Sequence, residues 1–452
     1  MKLTAALTLF VSLIAVPLLA QTNLETNAGV QFNFSTPGAG NLALGGAFLA
    51  LAFDASAAYT NPAGLTQVGA PESLAEVRHW SYTHVFTDRG RIEGEPISGG
   101  FDDHAGLLDG HAQDEVTGLS YFSYVYPHRD WSFAIYRHEL VNFKANFFTH
   151  GAYLEAIRGR NSLGIPGTTE GRLAALQNRM DLDIVANGGA VAYRLGKGLS
   201  LGLAVSYFHF AIDSQAQRFL PEISSPPTFA PDTLVNSQAQ KGNDSDWGLA
   251  AGFLWESPRK RWSVGGVFRQ GPDFTFRARS LPAEGQYRPR DQPATFHVPD
   301  VYGVGLAFQP RDALRLAFDY DRVRYSQLTR GFVDIFDLAG LAKENPQFLA
   351  PNDPELNRFV INDTDELHLG MEYAFLQYWP VVSVRLGAWY EPDHNLRFEG
   401  ENAGFRAVFR QRGDQMHYTT GAGLAFRHIQ VDGAVDYSKR VSIVSLSAGL
   451  RY

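Results

Sequence analysis

The sequence of 452 residues contains no cysteine. This removes disulfide frameworks and thiolate zinc sites from consideration and is compatible with passage through an oxidising compartment. Basic tracts are also missing. A formal charge of −8 and a pI near 5.9 argue against nucleic-acid binding. Beyond Ala20 no apolar run reaches the ~18 residues that a helical span needs. If the mature chain sits in a membrane it must do so as a closed barrel, because only helices and barrels satisfy their backbones in lipid. No Gly-x-Ser-x-Gly elbow and no phosphate-binding loop ahead of a helix is present. Ser206 and His209 are close in sequence but fall on opposite strand faces by parity. The expectation is a chain that is not an enzyme and carries no cofactor. Asp102, Asp103, His104, Asp109, His111 and Asp114 lack compact metal-ligand spacing and read as a solvated outer loop.

What is present begins with a targeting segment. Lys2 precedes an apolar stretch from Leu3 to Leu19, and Leu18-Leu19-Ala20 forms a cleavage site. Residues 1–20 are therefore expected to be a removed signal peptide. Hydrophobic residues make up an ordinary 45%, which suits a barrel wall in which only every second residue need be apolar. Aromatics at 13% and 44 glycines suit interfacial girdles and a tightly packed lumen.

Strict alternation recurs along the chain. Leu199, Leu201, Leu203, Val205 and Tyr207 alternate with Ser200, Gly202, Ala204 and Ser206. Leu314, Leu316, Phe318 and Tyr320 alternate with Arg315, Ala317 and Asp319, and Val444, Leu446, Ala448 and Leu450 with Ser445, Ser447 and Gly449. Alternation alone does not separate a soluble sandwich from an inverted barrel. Connection lengths do. Short turns at Pro127 to Asp130, Gly196 to Gly198, Ser257 to Lys260, Pro310 to Asp312 and Leu376 to Trp379 interleave with long connections. The long ones run from about Asp88 to Glu115, Phe143 to Leu182, Asp213 to Asn243, Gly271 to Pro299, Gln327 to Asp363 and Glu391 to Gly413. This is the pattern of an all-β, antiparallel up-and-down transmembrane barrel with short periplasmic turns and long outer loops that carry short helices. About 14 strands fit into residues 72–452. The connection near Lys439-Arg440 is one outer loop shorter than the others.

Residues 21–71 do not read as wall. Glycines and small residues are mixed there with Phe32, Phe34, Leu44, Phe48 and Phe53, as suits a compact plug. The stretch from Gly38 to Leu65, above all Asp54-Ala55-Ser56-Ala57-Ala58 and Asn61-Pro62-Ala63-Gly64-Leu65, resembles the plug of the FadL/OmpP1/TodX family of outer-membrane transporters. His297-Val298-Pro299-Asp300 leading into Gly303 and Gly305 is similar to a strand pair of that family, and the closing aromatic strand resembles a barrel assembly signal.

The resemblance implies a monomeric barrel in the outer membrane of a Gram-negative cell, in contact with its lipids and lipopolysaccharide. It also implies passive carriage of long-chain fatty acids or aromatic hydrocarbons. Related barrels act as protein-binding secretion accessories or adhesins, which is the alternative. In the family, ligand leaves by movement of the hatch or sideways through a kink in the third strand. Here that strand, Trp131 to Glu139, holds neither Gly nor Pro.

Candidate ligand contacts follow. In the plug they are Phe32, Phe34, Leu44, Phe48, Phe53, Asn61, Pro62 and Ala63. In the outer loops they are Leu154, Ile157 and Ile165, then Leu176 at helix-like spacing with Leu173 and Met180, and Ile335 and Phe336 further on. Arg137, Arg269, Arg315, Arg385 and Arg427 are candidates for pairing with a carboxylate head group, or else with lumen carboxylates such as Asp319, Asp432 and Asp436.

Overall fold

The computed structural model describes residues 27, 29–34, 36–92, 94–96, 103–160, 166–219, 234–282, 290–329, 331–332, 358–400 and 403–452. The proposed signal segment and the loop residues Ile165, Ile335 and Phe336 lie outside them.

Strands are numbered in chain order. The wall consists of β1 (Glu72–Arg91), β2 (Gly106–His128), β3 (Trp131–Thr149), β6 (Ala175–Gly196), β7 (Leu199–Phe219), β8 (Leu234–Glu256) and β9 (Trp262–Gln270). It continues through β12 (Val301–Arg311), β13 (Leu314–Val323), β15 (Thr364–Phe375), β16 (Val381–Glu391), β18 (Gln415–Ala425), β19 (Ile429–Tyr437) and β20 (Val441–Arg451). Each pairs antiparallel with the next, and β20 pairs with β1, so 14 strands close into a ring. Two hairpins, β4 (Ala152–Arg160) with β5 (Pro166–Leu173) and β10 (Asp273–Pro282) with β11 (Arg290–His297), extend from the long-loop end. The small pair β14 (Phe359–Val360) and β17 (Arg397–Phe398) lies in connections at the same end. Among the described residues no helix is long and apolar enough to cross a membrane.

The apolar side of each alternation faces out. Leu201, Leu316 and Leu446 are 48%, 38% and 61% exposed, whereas Ser200, Asp319 and Ser447 between or opposite them are buried in the ring. A soluble sandwich would show the reverse.

The strands run well past the limits set by that alternation. On β7 the outward side changes from Leu201, Leu203 and Val205 to His209, Asp213 and Gln215, while the inward side changes from Ser200 and Ser206 to Phe208, Phe210 and Ile212. The ladder continues, but the polarity of its two faces is exchanged. Such a strand leaves lipid for water, so its outer face becomes polar and its inner face must build a core of its own. Segments expected as outer loops, such as Phe143 to Thr149 and Ala175 to Leu182, are therefore strand. Leu176 and Met180 are buried and inward-facing on β6, not on a helix, because a spacing of four residues also keeps one strand face.

β3 does break, without glycine or proline. Its ladder with β2 ends at Tyr121↔His138, and its register with β6 slips between Glu139 and Val141. Leu140 and Val141 are consecutive and both buried, which marks a bulge. Above it β2 follows β1 while β3 follows β6, so the wall splits. Two carbonyls of the freed edge of β3 are satisfied by side chains of β1. Tyr82 donates to the Asn142 carbonyl at 2.5 Å and His84 to the Lys144 carbonyl at 3.0 Å.

Candidate functional site

Residues 36–71 lie within the ring and hold α1 (Ala39–Leu42), α2 (Ala57–Thr60) and a 3₁₀ turn over Pro62–Gln67. Pro at the first position of that turn has no N–H to leave unpaired, and the Asn61 side chain caps it by accepting from the Ala63 N–H at 3.2 Å. The same Asn61 donates to the carbonyls of Leu49 at 2.8 Å and Phe253 at 3.0 Å, tying the segment to β8. Asp319 on β13 accepts from the N–H groups of Phe48 and Leu49 at 2.6 and 2.8 Å.

Wall glycines receive this inner segment. A Cβ at Gly202 would lie 2.2 Å from Ala63 N, one at Gly252 2.2 Å from Asn61 Oδ1, and one at Gly265 2.1 Å from the Leu49 carbonyl. Further round the ring, a Cβ at Gly370 would meet the Leu44 carbonyl at 2.5 Å and one at Gly387 the Gly45 nitrogen at 2.3 Å. Leu44, Asn61, Pro62 and Ala63 thus serve anchoring and line none of the cavities described below. Phe48 and Phe53 stack edge-on at 5.2 Å, with Arg315 4.7 Å above Phe53, and they too stand away from those cavities.

Asp54 is half-buried in the ring beside Glu72, and desolvation followed by the charge of Glu72 pushes its carboxyl up to about 7. The seated segment therefore holds the Asp54 proton more tightly than the unseated one. Seating is strongest below the ordinary aspartate range near 3.8 and weakens as pH rises through about 7. Hydrogen exchange of residues 36–67, corrected for intrinsic rate, should be faster at pH 8 than at pH 5, and Asp54→Asn should flatten the difference. An unchanged pH dependence in Asp54→Asn would remove this group from the account.

Above the inner segment the chain from Gln31 to Phe34 threads the lumen beside a central cavity. Phe32 and Phe34 lie parallel at 5.1 Å, and Tyr325 meets both edge-on at 6.0 and 6.1 Å. Across from them Trp389 is stacked between His368 (5.3 Å) and His417 (3.7 Å). His417 faces Asp436 at 3.0 Å and Glu391 at 3.2 Å, while His368 donates to the Gly45 carbonyl at 2.7 Å. Asp321, Glu366 and Arg269 complete the charged lining. An outer cavity, lined by Phe86, Phe147, Val408 and Phe409 with Arg412 and Arg440, shares Gln31 and Val441 with it. A side cavity shares Phe34, Arg269 and Val301, and reaches Tyr136 and Leu140 at the bulge of β3.

The five candidate arginines separate. Arg385 is held by Glu372 at 2.6 Å and Asp432 at 2.5 Å, and Arg315 by Glu372 at 3.1 Å. Arg427 stands exposed in the turn between β18 and β19 rather than on a wet strand face, since β18 ends at Ala425. Arg137 lies on the outward side with Trp131, Phe133 and Ile135, and donates to the Leu119 carbonyl at 2.5 Å beside the split. Arg269 alone of the five faces the central and side cavities, with its guanidinium 5.1 Å above the Tyr59 ring. Leu154 and Ile157 belong to β4. Leu176 packs within the outer half of the ring.

Sequence reasoning missed Tyr325, Asp321, Glu366, His368, Trp389, Glu391 and His417. The available signal was parity: Glu366 and His368 alternate with outward Leu367 and Leu369, and His417 with outward Met416 and Tyr418. Asn33 was missed as well. Its N–H donates to the Leu140 carbonyl at 2.8 Å, its amide to the Glu139 carbonyl at 3.3 Å, and Arg78 donates to its Oδ1 at 2.7 Å. Asn33 thus occupies part of the β3 edge that β2 gives up. Among the described residues no cluster of three or more His, Asp or Glu could hold a metal ion.

No family model matches the sequence, and no curated protein does. Solved structures do match. A FadL homologue from Pseudomonas aeruginosa has a TM-score of 0.57 at 14% identity, over 93% of this chain and 99% of that one. The toluene transporter TodX of Pseudomonas putida gives 0.52 at 13%, over 92% and 98%. The toluene transporter TbuX of Ralstonia pickettii gives 0.52 at 13%, over 93% and 99%. With a ring of 14 strands around an inner N-terminal segment, this chain has the fold of the FadL and TodX channels.

Proposed function

We propose that the protein is a passive outer-membrane conduit for hydrophobic small molecules. The observation that carries this reading is the aromatic central cavity, which lies above the inner segment and shares Phe34, Arg269 and Val301 with the side cavity that reaches the split in the wall at Leu140. A solute enters over the outer cavity, dwells among Phe32, Phe34, Tyr325 and Trp389, and leaves sideways into the bilayer between β2 and β3. Residues 36–71 act as a hatch against straight passage, and Asn33 is the latch on the sideways route. Membrane placement follows from the outward apolar band. The structural neighbours, toluene transporters and a monoaromatic hydrocarbon channel among them, support the substrate class.

Leu140 is 1% exposed and stands where cavity and split meet. Leu140→Ala should speed entry of a labelled hydrophobic tracer into cells producing the protein. Leu140→Trp should slow it about tenfold or more, with equal amounts of folded barrel in the membrane. If the wild type raises tracer entry no more than an empty vector, the conduit reading falls. If it does raise entry and both variants match it, only the sideways route falls.

A further inference from the structure

We infer that the central cavity selects aromatic rings bearing a neutral hydroxyl, the phenol class, over both bare hydrocarbons and carboxylates. The inference rests on the conduit reading and adds the chemistry of the preferred solute.

The cavity offers flat aromatic walls. A planar ring can insert against the parallel Phe32 and Phe34, with the Tyr325 edge beside it, and gains aromatic contacts on several sides. At its polar end the cavity holds three buried atoms with no hydrogen-bond partner: Arg269 Nε, Asp321 Oδ1 and His368 Nε2. The His368 side chain is only 7% exposed, and its Nδ1 is already committed to the Gly45 carbonyl. Its Nε2 stands 3.7 Å from Asp321 Oδ2 and 3.7 Å from Glu366 Oε2, beyond hydrogen-bond length. Gly303 lies on β12, between the strands of Arg269 and Asp321, and Asp321 Oδ1 sits 2.2 Å from where a Cβ of Gly303 would stand. The missing side chain lets the carboxylate lean over β12 toward the strand of Arg269.

This end therefore holds a donor, Arg269 Nε, and an acceptor, Asp321 Oδ1, that no protein group satisfies. A hydroxyl satisfies both, since its hydrogen goes to Asp321 Oδ1 and its lone pairs receive Arg269 Nε–H. A bare hydrocarbon leaves these atoms unpaired, which is the situation in which a hydrogen-bonding site rejects its deoxy analogue most strongly. A carboxylate brings a like charge up to Asp321, Glu366 and Glu391, which line the same cavity as Arg269, His368 and His417.

The test uses p-cresol, p-xylene and p-toluate, which share one methyl-substituted ring and differ in one group. Binding to the full-length protein in maltoside micelles is measured by equilibrium dialysis, with each affinity referred to the probe's partition into protein-free micelles. We expect p-cresol to exceed p-xylene and p-toluate by about tenfold or more, as loss of a hydrogen bond to a charged group implies. In Asp321→Leu and in Arg269→Met the cresol preference should fall to within about twofold of parity. Heat-modifiable migration reports whether each variant has folded, and either variant alone suffices. Equal corrected affinities for p-cresol and p-xylene, or a cresol preference unchanged in the folded variants, overturn the inference and leave the conduit reading intact. Tightest binding of p-toluate overturns it in favour of an anionic amphiphile held by Arg269. Binding of none of the three removes the conduit reading as well.

Discussion

Arg385→Met should leave almost no compact, heat-modifiable barrel in the outer membrane. Arg385 is 3% exposed, and its guanidinium spans Glu372 on β15 and Asp432 on β19, with β16 and β18 between them. The same guanidinium lies 3.1 Å from where a Cβ of Gly40 would stand, so the network is also the floor on which the hatch rests. Removing the cation leaves two carboxylates buried without their main partner, and breaking one side of such a pair costs about 3–5 kcal/mol. Arg315 reaches Glu372 but none of the described contacts brings it to Asp432. The combined change Arg385→Met, Glu372→Gln, Asp432→Asn removes the stranded charges and should recover most of the folded protein, because the penalty comes from uncompensated charge more than from a missing attraction. Wild-type levels of folded barrel in the single variant would contradict this account. Failure of the triple variant would show that the network is needed for shape as well as charge balance.

The second large effect is expected at Gly252. A leucine there would drive its Cβ into the Asn61 side chain, which already serves three partners, and into the Gly266 carbonyl at 3.2 Å. The hatch has to yield, since the strand is held by ladders on both sides. Purified Gly252→Leu in planar bilayers should conduct ions at least tenfold more than the wild type, and cells carrying it should become permeable to bulky hydrophilic dyes that a filled ring excludes. Gly433→Ala is the control. It adds a methyl at a wall glycine with nothing within 4 Å and should behave as wild type. A quiet Gly252→Leu channel with normal assembly would mean that Asn61 does not hold the hatch.

Much of the ring was legible because lipid imposes a period of two on its outer face. Leu201, Leu316 and Leu446 could be assigned from their neighbours alone, and the alternation of short and long connections gave the strand number. Strand ends were not legible, because the polarity code inverts where β7 passes from Val205 and Tyr207 to His209 and Asp213 on the same face. A reader following apolar residues loses the strand where it gains a water-facing outside. The bulge in β3 had no Gly or Pro to announce it; it arises where Leu140 and Val141 both turn inward.

The site was legible in its aromatic half only. Phe32 and Phe34 stand out among small residues, and Arg269 was accessible by parity. Parity also places Arg137 with Trp131, Phe133 and Ile135, so its charge was a poorer guide than its position. The polar end draws on β9, β13, β15, β16 and β18, which lie far apart in sequence. An inward His or Asp that lines a cavity has the same local pattern as one that fills a lumen ion pair, and only ring closure distinguishes them.

The glycines beneath the hatch bear on how the barrel is made. Gly202, Gly252, Gly265, Gly370 and Gly387 come from five different strands, and each leaves a notch into which a particular backbone atom of the N-terminal segment, or the Asn61 side chain, is seated. A piece keyed at five points around a closed hoop cannot be threaded in afterwards without prising the hoop open. Nor can it drop out as one body to let cargo past. The segment is synthesised first and must already be in place when β20 meets β1, acting as the former around which the wall is wound. Traffic through the finished protein is then left to the parts above it.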